Sequence, residues 1–104
     1  MDLRLVYITT KDVDEARRIG QALVEERLVA CVNIIDGLES RYWWEGKIVG
    51  SREALLMAKT KAALVPLVVD KVKSLHGYEC PCVTALPILE GNGDFLAWVA
   101  GETR

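Results

Sequence analysis

Apolar residues change their spacing several times along the chain, and each change marks an element. Residues 3–9, LRLVYIT, are rich in β-formers and alternate in polarity, which predicts a first strand. Asp12, followed three residues later by Glu15, resembles a capping box with aspartate in the Ser/Thr place. Ala16, Ile19, Gly20, Leu23 and Val24 then repeat at i, i+3, i+4, i+7 and i+8, the spacing of one buried helix face. Glu25, Glu26 and Arg27 are polar and close that helix.

A mostly apolar run over residues 29–35 leads to Asp36-Gly37, a turn or bulge signal. Residues 38–44 continue with large β-formers, and Glu45-Gly46 makes a tight turn. Residues 47–49 leave that turn, and a strand resumes over 53–60 after Gly50-Ser51. The simplest arrangement is one long, bulged hairpin whose far end projects beyond the core. A true hairpin turn at Asp36-Gly37, giving three shorter strands, is the alternative.

The second helix is predicted over residues 62–76, with Pro66 in the first turn, where a missing backbone donor costs least. Val65, Val68, Val69, Val72 and Leu75 form its apolar stripe, and Lys71 and Lys73 face water. Residues 82–89 read as a fourth strand in which Pro87 points to an edge position or a bulge. Asn92 can cap a short last helix over 94–101, with Phe95, Leu96, Trp98 and Val99 packing inward. The order β-α-β-β-α-β plus a terminal helix predicts a single α+β domain over residues 1–104. Its architecture is a ferredoxin-like sandwich with a long bulged hairpin and both main helices on one sheet face.

Such a sheet leaves its other face bare, and composition bears on what covers it. Hydrophobic residues make up 51% of 104, a rich fraction for a small domain with much surface to keep wet. That favours apolar surface lying between subunits. Tyr42, Trp43 and Trp44, consecutive at the hairpin tip, fit subunit contact better than a stacking platform for bases. The net charge is −2 with both signs interspersed, and no basic cluster offers nucleic acid a hold. There is neither a secretory apolar region nor an apolar run of about 18 residues, which favours a soluble cytoplasmic protein without a membrane partner. Three cysteines cannot all pair within one chain, so reduced thiols are expected.

Candidate chemistry concentrates in Leu75-His76-Gly77-Tyr78-Glu79-Cys80-Pro81-Cys82, which holds the only histidine and two of the three cysteines. Imidazole and thiolate are the ligands that Cu(I) and Zn(II) prefer. At the end of the second helix, His76 can cap carbonyls and face the negative end of the helix dipole. It can instead ligate a metal with Cys31, or with Cys80 and Cys82. On an extended backbone Cys80 and Cys82 point to the same face and can grip Cu(I); as plain residues they are two small hydrophobes. Cys31, within an apolar strand run, reads as core or as a further ligand.

These residues also carry a resemblance. Leu23-Val24-Glu25-Glu26-Arg27-Leu28 precedes Ala30-Cys31-Val32-Asn33-Ile34, followed by Ser40-Arg41-Tyr42-Trp43-Trp44-Glu45-Gly46-Lys47-Ile48 and Lys59-Thr60. The segment from Leu75 to Pro81, Leu86-Pro87-Ile88, Gly91-Asn92 and Trp98 complete the series. In this order and spacing the chain resembles the CutA family, the divalent-ion-tolerance proteins. The resemblance implies a homotrimer of ferredoxin-like subunits, similar in architecture to the PII signalling proteins, whose hairpins pair between neighbours. It further implies binding of copper or other divalent ions without catalysis. The residues themselves offer His76, Cys31, Cys80, Cys82 and Glu79 as candidate ligands and Tyr78 in a subunit cleft, and no family role transfers to Cys80 and Cys82. Two departures stand out. Gly77 occupies a place that is usually proline in the family, and the Cys80-Pro81-Cys82 dithiol is peculiar to this chain.

Enzyme readings find little support. There is no Gly-rich phosphate loop, and no third group orients a Cys-His pair at a recognisable spacing. Thr9-Thr10-Lys11 stands where an acylphosphatase of this fold would place its arginine loop. The main rival to ion binding is a PII-like trimeric sensor or scaffold that holds a small molecule or protein partner near His76, Tyr78 and Glu79.

Overall fold

The computed structural model describes residues 1–104. Strand β1 (Leu3–Thr10) leads into helix α1 (Val13–Glu25), followed by β2 (Cys31–Trp44) and β3 (Lys47–Lys61). A single 3₁₀ turn (Ala62–Leu64) precedes α2 (Val65–Leu75), and β4 (Val83–Ile88) and α3 (Gly93–Glu102) complete the chain. The sheet is antiparallel throughout, in the order β2-β3-β1-β4. This is the ferredoxin-like arrangement that the element order predicts.

Asp12 caps α1 as expected: its backbone is extended and its Oδ1 accepts from the Glu15 N–H at 2.8 Å. Glu15 does not complete the box in the usual way. Its side chain turns inward, with 1% of the residue exposed, and accepts from Lys11 N–H instead of Asp12 N–H. The helix stripe Ala16, Ile19 and Leu23 packs against Val6, Ile8, Ala54, Leu56 and Ala58 of the sheet, with Val68 and Val72 of α2 closing the layer. Gly20 allows this approach, because a Cβ there would lie 3.2 Å from both Leu56 Cδ1 and Val32 Cγ2.

The hairpin is one continuous pair. Gly37, at φ +84, is the extra residue of a bulge between the Asp36–Ala54 and Leu38–Glu53 pairs, so the three-strand alternative does not apply. β3 also runs unbroken through Gly50-Ser51, where a gap was expected. At the tip Glu45 and Gly46 both have positive φ, the requirement of a two-residue I′ turn matched to strand twist. Beyond the bulge the ribbon leaves the helical layer. Tyr42, Trp43, Trp44 and Ile48 are exposed there, Trp43 at 72%.

Three expectations shift. α2 is shorter than residues 62–76, because its first turn is 3₁₀ and His76 is already extended (φ −81, ψ 144). The fourth strand lies one residue inside its expected bounds at each end and forms a sheet edge, where Pro87 has no ladder bond to lose. In α3 only Val99 is fully buried; Phe95 and Trp98 stack on each other, with ring centroids 5.6 Å apart, yet stay about two-fifths exposed, at 39% and 44%. The sheet face opposite α1 and α2 carries Tyr7, Leu55, Met57, Ile35 and Leu86, placed together by strand alternation and register. No helix of the chain is long and apolar enough to cross a membrane.

Candidate functional site

The end of α2 delivers His76 into the gap between β1 and the start of α1. Its side chain is fully buried. Nε2 lies 2.8 Å from the Thr9 carbonyl, and Nδ1 accepts from the Tyr78 backbone N–H at 3.1 Å. A backbone N–H can only donate, so the neutral tautomer with its proton on Nε2 satisfies both contacts. Glu15 Oε1 stands 3.6 Å from Nε2, beyond hydrogen-bond range, while Nε2–H serves Thr9.

This geometry corrects two expectations for His76. The imidazole does not cap the carbonyls of α2. Arg18 takes that place, donating from Nη2 to the Leu75 carbonyl at 3.3 Å, and the His76 N–H continues the helix to Val72. Nor does the ring present a lone pair to a metal, since both nitrogens are engaged within the chain. His76 acts here as an interior brace.

The brace belongs to a wider network. Glu15 accepts from Lys11 N–H through Oε1 and from Gly77 N–H through Oε2, both at 3.0 Å, and Arg18 Nη2 approaches Oε2 at 3.8 Å. A proline at position 77 would have no N–H to give, so the glycine departure adds a tie between loop and helix. Tyr78 then reaches across the sheet, donating its hydroxyl to Glu53 Oε2 at 2.9 Å, while its ring tilts against His76 with centroids 4.9 Å apart.

Burial first, and then the bond to Glu53 and its negative charge, hold the Tyr78 hydroxyl well above the ordinary tyrosine range. It remains a neutral donor at physiological pH. Tyr78→Phe is expected to lower stability by about 1–2 kcal/mol near neutrality, since a carboxylate loses its donor. The sign of the pH dependence follows from the raised folded value. The contribution is complete below the unfolded tyrosine value of about 10 and declines as pH rises beyond it. Urea unfolding across that range should show an alkaline loss in the native protein that is smaller in Tyr78→Phe.

Glu53 is itself unusual. Only 4% of the residue is exposed, yet it takes part in none of the chain's ion pairs. Its side-chain partner is the Tyr78 hydroxyl. Sequence reading missed both carboxylates. Glu15 carried a signal, because it lies in register with Ile19 and Leu23 on the buried stripe; Glu53, beside the bulge, had none.

The thiols are divided. Cys80 and Cys82 are free and exposed on the loop that follows Tyr78, next to exposed Glu79. Cys31 begins β2, opposite Lys59 and three strands away from β4. At about 4.8 Å per strand, that places it roughly 14 Å or more from the loop. Within one chain, no group of three or more His, Cys, Asp or Glu residues is arranged to hold a metal ion. The five expected ligands therefore do not form one centre. Tyr42, Trp43 and Trp44 lie on the exposed ribbon, with Tyr42 OH accepting a long 3.5 Å bond from Ser51 Oγ.

Comparison with known proteins fits this architecture. Residues 4–102 match the model of the CutA1 divalent ion tolerance protein family. The divalent-cation tolerance protein CutA of Thermus thermophilus is 48% identical over 99 residues, covering 95% of this chain and 96% of that protein. A solved structure of the divalent cation tolerance protein from the same organism superposes with a TM-score of 0.96 at 46% identity, covering 98% of this chain and 99% of that one. The crystal structure of CutA1 from Oryza sativa gives 0.97 at 40% identity, over 100% of this chain and 95% of that one. With nearly the whole length matched in sequence and in fold, the chain belongs to the CutA1 divalent ion tolerance family.

Proposed function

We propose that the protein is a homotrimeric, non-catalytic binder of copper or other divalent metal ions, acting in the response to such ions. The observation that carries this reading is the loop of residues 77–82, where free Cys80 and Cys82 stand exposed beside Glu79. His76 and Tyr78 fasten the loop from inside, so the loop offers the Cys80 and Cys82 thiols as ligands, and His76 acts by position. Cys31 joins only if a neighbouring subunit brings its open sheet face near. Three unpaired thiols fit a reducing compartment, and we place the protein in the cytoplasm.

The trimer is supported by the unpaired sheet edges, by the apolar face around Ile35 and Leu86, and by the aromatic ribbon. Native mass spectrometry of the reduced protein during Cu(I) and Zn(II) titration tests assembly and ion binding together. A trimer with a saturable ion count per subunit is expected; a monomer, or graded adducts only, would contradict the reading. Replacing Trp44 with alanine should weaken assembly by about 2 kcal/mol, shifting the concentration of half-dissociation upward by at least ~10-fold in sizing experiments. An unshifted midpoint would remove Trp44 from the interface.

A second reading is favoured by one observation, the buried Glu53 carboxylate with a phenol but no cation beside it. A PII-like trimer that holds a small cationic molecule near Tyr78 would use it. Saturable ligand binding in metal-free protein, lost in Glu53→Gln, distinguishes that reading.

A further inference from the structure

We propose that Cys80 and Cys82 form a two-thiolate chelate selective for Cu(I), and that this pair alone is the tight metal site of each chain. The proposal rests on the ion-binding reading above and narrows it to a soft, monovalent cation. Three features carry it. The first is the pairing itself: the thiols are two residues apart, both free and both exposed, with a proline between them. The chain bends at Cys80, and Pro81 removes one rotational freedom from the short bridge between the two thiols.

The second feature is that the dithiol is held at both ends without using its sulfurs. Upstream, Gly77 N–H is tied to Glu15, Tyr78 N–H to His76 Nδ1 and the Tyr78 hydroxyl to Glu53. Downstream, the Cys82 carbonyl accepts from the Thr9 N–H of β1 at 3.3 Å. Only Glu79, Cys80 and Pro81 lie between these anchors. A short tethered segment loses little conformational freedom on closing around an ion, and that is the condition for tight binding by few ligands.

The third feature is the ligand count. Zn(II) in a structural site takes four ligands, and the hard divalent ions take six or more oxygens. The chain assembles no group of three candidate ligands. Cu(I) is selected by thiolate and is satisfied by two. On binding, each thiol releases its proton to solvent as a sulfur–copper bond forms. Copper enters and remains Cu(I), so no oxidant or reductant takes part.

The test is competition for Cu(I) against the chromogenic chelator bicinchoninate, under anaerobic reducing conditions and with the assembled protein. Native protein should withdraw one Cu(I) per chain, and excess Zn(II) should not displace it. Cys80→Ser/Cys82→Ser should weaken Cu(I) binding by at least ~100-fold, while Cys31→Ser should stay within about threefold of native. Both cysteines of the pair are exposed, so an unchanged urea midpoint is expected and excludes misfolding as the cause. X-ray absorption at the copper edge should report sulfur as the only ligand type.

Retention of copper by the double variant, its loss in Cys31→Ser, or displacement by Zn(II) would each overturn the dithiol assignment. If the double variant behaves as native while Zn(II) or Cu(II) still binds saturably, this inference fails and the wider ion-binding reading stands. If native protein captures none of these ions, both fail.

Discussion

Replacing Glu15 by alanine should lower the stability of the protein by roughly 3 kcal/mol, although the residue lies at the start of a surface helix. Its carboxylate is fully buried and accepts from two backbone donors, Lys11 N–H and Gly77 N–H. Arg18 Nη2 at 3.8 Å is the cation facing it. Alanine leaves both donors without their acceptor and leaves a gap beside His76. Glu15→Gln is the informative companion. An amide keeps one accepting oxygen but turns an NH₂ group toward the other donor, so about half the loss should remain.

Urea unfolding at a fixed protomer concentration is the measurement, since subunit association would make the midpoint depend on concentration. Hydrogen exchange adds a local readout. In Glu15→Ala the amides of Gly77 and Tyr78 should exchange faster than the change in global stability requires, because the loop has lost its tie to α1. A midpoint within about 0.5 kcal/mol of native, with both amides still protected, would show that His76 alone holds the loop.

These two residues also mark what can be read from the chain and what cannot. The elements were legible because each obeys a local rule. Ala16, Ile19 and Leu23 repeat at helix spacing, Asp12 caps, and Glu45-Gly46 fits a primed turn. The bulge at Gly37 and the edge position of Pro87 follow from single residues with narrow backbone preferences. His76 was legible as important but not as buried. Helix spacing places it at the end of α2, where solvent and the dipole are the default surroundings. Its turn inward depends on Thr9, which lies 67 residues earlier and reaches it only through the sheet. Glu53 pairs with Tyr78 from 25 residues away, on another element. Contacts of that kind are set by topology and register, on which periodicity is silent. Phe95 and Trp98 show the reverse error. Apolar spacing predicts burial, but a lone chain has no more sheet to offer them.

The largest loss from a single truncation should come from Leu56→Ala, about 4 kcal/mol by urea unfolding. Leu56 has no exposed surface and sits in β3 between Ile8 of β1 and Ile34 of β2. Truncations of this type cost most where the surroundings cannot close over the void. The residue facing Leu56 from α1 is Gly20, which has no side chain to swing in. Adding one there supplies a stringent check. In native protein a Cβ on Gly20 would meet Leu56 Cδ1 and Val32 Cγ2 at 3.2 Å, tighter than ordinary contact. Crowding should outweigh the helix-propensity gain of about 1 kcal/mol, so Gly20→Ala alone should destabilise by about 1 kcal/mol. With Leu56 truncated, one of the two close contacts is gone and the new methyl occupies part of the void. Gly20→Ala should then stabilise by about 1 kcal/mol, a coupling of about 2 kcal/mol between the sites. If it instead costs the same in both backgrounds, helix and strand do not meet at this point, and the close approach of α1 to the sheet is not what makes glycine necessary there.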